Sequence, residues 1–235
     1  MKSMSKLIFG LLAAALVMGA SATAWADKVT LELRGSSVET TDRGYTNLTG
    51  DNAPGAGGLA LGFEPAFIDG LRLTASVDGT SLNGSRFAGD LSTSWEHQRV
   101  MAGADYGVDL FDDRLRPLVR VGFGYSRQAL GLTADNVTYR DTDHGLAAMA
   151  AGGLEATVLT SEADADSLVE RLSLGINLTA GYSWQTAANF DELESQDAPD
   201  EPSDDDPWRR GNYDAGTVQV TGFSLSLGLV AGYRF

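Results

Sequence analysis

TVQVTGFSLSLGLVAGYRF, residues 217–235, closes the chain. Phe223, Leu225, Leu227, Leu229, Ala231, Tyr233 and Phe235 share one parity, while Gly222, Ser224, Ser226, Gly228, Val230, Gly232 and Arg234 share the other. A β-strand sends alternate side chains to opposite faces, so this segment has one apolar face with aromatic ends and one small or polar face. A strand that faces lipid needs that division, with aromatics at the membrane interfaces. An edge strand of a soluble sandwich meets the same description, and this segment alone does not separate the two.

The alternation recurs seven times upstream. Asp27 to Ser37 sets Val29, Leu31 and Leu33 against Thr30, Glu32 and Arg34. Residues 57–64 carry Leu59, Leu61 and Phe63, and the segment from Leu71 sets Leu73, Ala75 and Val77 against Arg72, Ser76 and Asp78. Residues 96–110 oppose Val100, Ala102, Ala104 and Tyr106 to Arg99, Asp105 and Asp109, and residues 115–126 oppose Val119, Val121, Phe123 and Tyr125 to Arg116, Leu118 and Arg120. Residues 144–159 are rich enough in Ala for a helix, but Gly152-Gly153 at their centre argues against one. Residues 172–184 alternate most cleanly.

The breaks after the first, third, fifth and seventh segments, at 38–55, 79–95, 127–143 and 185–216, are long and polar, although 79–95 leaves room for extensions of both flanking strands. The breaks at 65–70, 111–114 and 160–167 are short. Bacterial membrane barrels combine short periplasmic turns with long extracellular loops, and an even strand count puts both chain ends on one side. The pattern predicts an all-β chain, an eight-stranded antiparallel up-and-down transmembrane β-barrel. The competing reading is a soluble periplasmic barrel with its apolar parity inward.

The beginning of the chain fits export. Lys2 and Lys6 flank the start of an apolar run, Leu7 to Val17, and Ala24-Trp25-Ala26 supplies an A-x-A cleavage site. Residues 1–26 read as a Sec signal peptide and residues 27–235 as a barrel domain of the Gram-negative outer membrane. The apolar run is too short to cross a bilayer as a helix. Without cysteine there is no lipoprotein anchor, disulfide framework or thiolate metal site. The formal charge is −15, and loss of Lys2 and Lys6 (−15 − 2) makes it −17, which leaves no electrostatic footprint for nucleic acid.

Phe223, Leu225, Leu227, Leu229, Tyr233 and the terminal Phe235 together resemble the C-terminal strand of bacterial outer-membrane β-barrels. That resemblance implies recognition by the barrel-assembly machinery during biogenesis. Arg116-Pro117-Leu118-Val119-Arg120-Val121-Gly122-Phe123-Gly124-Tyr125 is similar to a strand of small OmpA-like barrel domains, with Leu118 where that pattern has Tyr.

With the apolar parity in lipid, the other parity lines the lumen: Glu32, Arg34, Arg72, Asp78, Asp105, Asp109, Arg116, Arg120, Glu155 and Arg234. Eight strands enclose an interior that their own side chains can fill. Buried charges must pair, so an Arg–carboxylate network is predicted to plug the barrel. Lumen glycines leave room for a narrow water path. The first functional reading is a non-enzymatic structural or surface-interaction protein, a monomer in contact with outer-membrane lipid and lipopolysaccharide. The second is a narrow channel for small solutes or ions, resembling OmpW-like barrels, whose lumen is mainly apolar. The third is a hydrolase acting on lipid A or peptide.

Both histidines, His97 and His144, are predicted at outer loop bases, where Asp141 or Asp143 could pair with His144 for hydrolysis. The His-x-Ser of lipid A deacylase-like barrels and the Asp-x-His of omptin-like proteases are both missing, and no catalytic residue is assigned. No cofactor is predicted. The acidic stretch with Asp200, Glu201, Asp204, Asp205 and Asp206 offers oxygens to Ca²⁺, but its irregular, proline-broken spacing matches no EF-hand loop, and a solvated acidic loop is the competing reading.

Overall fold

The computed structural model describes residues 26–43, 45–46, 53–86, 91–134, 137–162, 171–190, 193–195 and 215–234. Eight long strands dominate: β1 (Ala26–Thr40), β2 (Gly55–Pro65), β3 (Leu71–Arg86), β4 (Leu91–Gly107), β5 (Leu115–Ala134), β6 (Val137–Glu162), β7 (Arg171–Gln185) and β8 (Gly222–Arg234). Each pairs antiparallel with its neighbours in sequence, and β1 returns to β8 with Lys28 opposite Arg234 and Leu33 opposite Leu229. The ring is closed, and closure leaves no unpaired edge around it.

The faces are sorted as the alternation demands. Leu174, Ile176 and Leu227 are 54%, 43% and 58% exposed, whereas Arg72 and Arg120 are 2% and 4% exposed. That ordering overturns the soluble barrel with an inward apolar face. An outer surface carrying Leu73, Val100, Val121, Phe123, Leu154 and Leu225 in the open is one built for hydrocarbon. Tyr125, Tyr182, Trp184 and Phe223 stand exposed at one end of this belt, and Tyr106, Phe111 and Tyr233 at the other.

Three features depart from the sequence reading. The stretches 79–95 and 127–143 are largely strand. β3 continues to Arg86, β4 begins at Leu91, and β5 and β6 form a hairpin paired out to Ala134 and Val137. These rungs lie beyond the apolar belt, where outward side chains are polar, so a strand there has the composition of a loop. The final strand starts at Gly222 rather than 217: Gly216–Val218 pairs instead with Ala188–Phe190 in a separate ladder. Near the other end of β6 the register slips between Thr157 and Leu159, and Val158 and Leu159 are both exposed. Such a bulge turns consecutive side chains to one face.

The β4–β5 turn is tight and left-handed. Phe111, Asp112 and Asp113 have φ of 55°, 55° and 64°. Leu110 and Leu115 exchange backbone hydrogen bonds of 2.8 and 3.1 Å across it. Residues 1–25 and Phe235 lie outside the described residues.

Candidate functional site

The site is the interior. Alternate positions on β1 to β6 deliver five arginines and five carboxylates to it, all buried: Arg34, Arg72, Arg99, Arg116 and Arg120 with Glu32, Glu64, Asp78, Asp105 and Glu155. Neighbouring small residues make room for these long side chains. A Cβ on Gly62 would fall 2.6 Å from Cδ of Arg72, and one on Gly107 would fall 2.6 Å from Nε of Arg116.

The charges are stacked in levels along the barrel axis. Lowest, Glu64 Oε1 accepts from Arg72 Nε at 2.8 Å and from Arg116 at 2.7 Å. Arg72 then spans the lumen from β3 to β6, donating to Glu155 at 2.6 and 3.2 Å. In the middle, Arg120 grips both oxygens of Asp105 at 2.8 and 2.9 Å and reaches Glu32 on β1 at 3.0 Å. Above, Asp78 takes Arg34 at 2.9 Å and Arg99 at 2.7 Å, and Arg99 donates across to Ser183 on β7 at 2.8 Å. Planar guanidinium forks suit such bridging because one cation serves two carboxylates.

Of the ten residues proposed to line the lumen, eight are buried there. The other two belong to the rim. Asp109 lies past the end of β4 and is exposed, its nearest oxygen 3.9 Å from Arg116. Arg234 is partly exposed at the mouth, 2.8 Å from Asp113 and 3.4 Å from Asp27, and Asp113 also holds Arg171 at 3.2 Å. Glu64 and Arg99 complete the network; the sequence reading does not include them, although each shares the inward parity of its strand. Phe223, Leu225, Leu227, Leu229 and Tyr233 all face outward. The candidate calcium residues of the acidic stretch, 200–206, lie outside the described residues.

Above the charges the interior turns apolar. Trp95, Leu130, Leu132, Phe190, Leu193 and Val218 belong to one buried cluster that crowns the lumen. Segments flanking the strands are tied over it. Asp42 accepts from the backbone N–H of Tyr45 and of Gln219, at 3.0 and 2.8 Å, and Gln219 donates to the carbonyl of Gln185 at 2.8 Å.

Neither histidine sits in a loop. His97 lies inside β4, 4% exposed and stacked on Trp95 with ring centroids 5.3 Å apart. Its rung pairs with Gln128, and the outward side chains just beside it, Gln98 and Arg127, are polar, so it stands beyond the apolar belt. Burial first, and then the Arg99 guanidinium, lower its pKa from 6.5 to about 3, against smaller opposing effects of Asp78 and of a hydrogen bond with Gln185. His144 is exposed on β6, its ring stacked on Tyr125 and hydrogen-bonded to the Tyr125 hydroxyl. The predicted Asp–His pairing does not form. Asp143 accepts instead from the backbone N–H groups of His144 and Asn189, at 2.6 and 2.7 Å, and Asp141 from that of Thr142 at 2.6 Å.

The barrel is similar to solved bacterial outer-membrane proteins. The attachment invasion locus protein Ail of Yersinia pestis aligns over 89% of this chain and 99% of its own, at 12% identity and a TM-score of 0.48. Neisserial surface protein A aligns over 88% and 96%, at 11% identity and 0.44. A major outer membrane protein from Thermus thermophilus aligns over 88% and 99%, at 14% identity and 0.48. No protein-family model and no curated protein matches the chain. At these identities the likeness is one of general shape.

Proposed function

We propose that this chain is a non-enzymatic barrel of the Gram-negative outer membrane whose closed interior makes it a structural and surface-interaction protein rather than a pore. One observation carries this reading: arginine side chains bridge opposite walls at three successive levels, Arg72 to Glu155, Arg120 to Glu32 and Arg99 to Ser183. Above them lies the apolar crown. In this reading residues 1–26 direct Sec export and are removed, and the outward face of β8, with Phe235, serves the barrel-assembly machinery. The monomeric barrel then contacts outer-membrane lipid and lipopolysaccharide.

Planar-bilayer recording on the refolded barrel tests the closed interior. Silence over hours is expected; stable unitary steps would establish the alternative, a narrow channel. Resistance to carbonate extraction and a mobility shift between unboiled and boiled gel samples test the membrane location. For the hydrolase reading, His144→Ala is expected to leave lipid A composition and peptide cleavage by intact cells unchanged.

A further inference from the structure

Between the upper ion level and the apolar crown lies a level of uncharged polar side chains. Trp95 and His97 come from β4, Ser126 and Gln128 from β5, and Gln185 from the end of β7. They are neighbours by register: His97 is opposite Gln128, and Arg99, one inward position below, is opposite Ser126. Gln185 is opposite Ala147 and close to His97. On β6 these side chains face Ala147, Gly145 and, opposite Gln128, Asp143, and the Thr186 side chain covers Gly145.

All five residues are 4% exposed or less. Yet Trp95 Nε1, Ser126 Oγ and Gln128 Oε1 have no hydrogen-bond partner among the described residues, and His97 Nε2 and the Gln185 amide have none beyond their contact with each other. Leaving a buried donor or acceptor unmade forfeits its hydration with nothing in return. Buried polar atoms in native proteins are satisfied, and where protein does not satisfy them, ordered water does.

We infer that this level is a binding site for a cluster of ordered water, held between the Arg34–Asp78–Arg99 level and the crown. The chemistry of the atoms selects the occupant. The indole N–H only donates, the Gln128 oxygen only accepts, and Ser126 and Gln185 do both. A small neutral molecule that donates and accepts equally meets that mixture. An ion does not, because the arginines and carboxylates below already balance and His97 is uncharged at neutral pH. Each water needs two to four polar partners, and side chains from three strands supply them.

The site is a property of the level above the ion bridges, so it stands or falls separately from conductance, which depends on the bridges. The test uses the whole mature chain in lipid nanodiscs, with water as the probe. Water-to-protein cross-relaxation should reach the Trp95 indole N–H and the His97 ring protons, with the sign of waters resident longer than about a nanosecond. Absence of those cross-peaks, or the sign of fast surface water, overturns the inference. A second measurement does not depend on spectroscopy. Gln128→Met keeps shape and removes the amide. If water bridges that amide, the urea midpoint falls by about 0.5 M. If the amide faces nothing, removing an unsatisfied group leaves the midpoint unchanged or raises it, and the water site is refuted.

Discussion

Arg72 shows what a single inward side chain carries. It holds Glu64 and Glu155 at once, and all three are buried. Arg72→Met leaves Glu155 without its paired cation, while Glu64 keeps Arg116, and the loss should cost about 3–5 kcal/mol. Adding Glu155→Gln alone should recover most of that loss, because Glu64 keeps its pairing with Arg116. Urea midpoints scored by the folded band on unboiled gels measure both. His97 gives a pH signature. It must acquire its proton on unfolding, so its contribution is intact above pH 6.5 and declines as pH falls toward about 3. At pH 4.5 the chain should have lost about 2–3 kcal/mol through this group, and His97→Gln should flatten that part of the pH profile. The direction in which Arg72 and Arg120 point was legible, because Leu71, Leu73, Val119 and Val121 fix the greasy parity. Their partners were not. Arg72 and Glu155 stand 83 residues apart, and the stagger of the closed ring decides that they meet.

The β5–β6 hairpin teaches the corresponding lesson for an element. Up to Tyr125, the odd positions of β5 are apolar and face out. Beyond it the polarity inverts, and the even positions Leu130 and Leu132 are apolar and face in, 0% and 3% exposed. Inside lipid the hydrocarbon solvent is outside the barrel; above it, the driest place is the centre. A pattern keyed to one parity therefore fades where the inversion begins, which is why 127–143 reads as a loop. Leu130→Ala should cost about 2–5 kcal/mol by opening the crown, while leaving the lipid-facing belt unchanged. The heat-modifiable mobility shift should persist while the urea midpoint drops. The β4–β5 turn offers the reverse experiment. Asp112→Gly relieves a left-handed residue and should stabilise by about 1 kcal/mol. Asp113→Gly relieves the same strain but forfeits Arg171 and Arg234, and its midpoint should fall below that of Asp112→Gly.

For the whole molecule, the balance of five buried arginines and five buried carboxylates means that the interior carries no net charge. The formal charge of −15 in the full sequence is therefore carried by residues outside that network. Salt screens exposed charges within about 10 Å at 0.1 M but reaches buried pairs far less. Raising NaCl to 1 M should consequently spare the buried pairs while screening the exposed negative excess, so the urea midpoint of the barrel should rise slightly rather than fall. The overall fold was legible because eight alternations and unequal connections sit far apart in sequence and reinforce one another. The crown was not, because it is assembled from distant pieces, Tyr45, Phe190, Leu193 and Val218 among them, none of which has a periodicity to betray it.

The carboxylate of Asp113 ties the first half of the chain to its final strand through Arg234. A barrel whose eighth strand has not yet docked lacks that tether, and its hairpin tip then rests on Arg171 alone. The tip thus reports closure of the ring, because only with β8 docked does Asp113 hold both of its arginines.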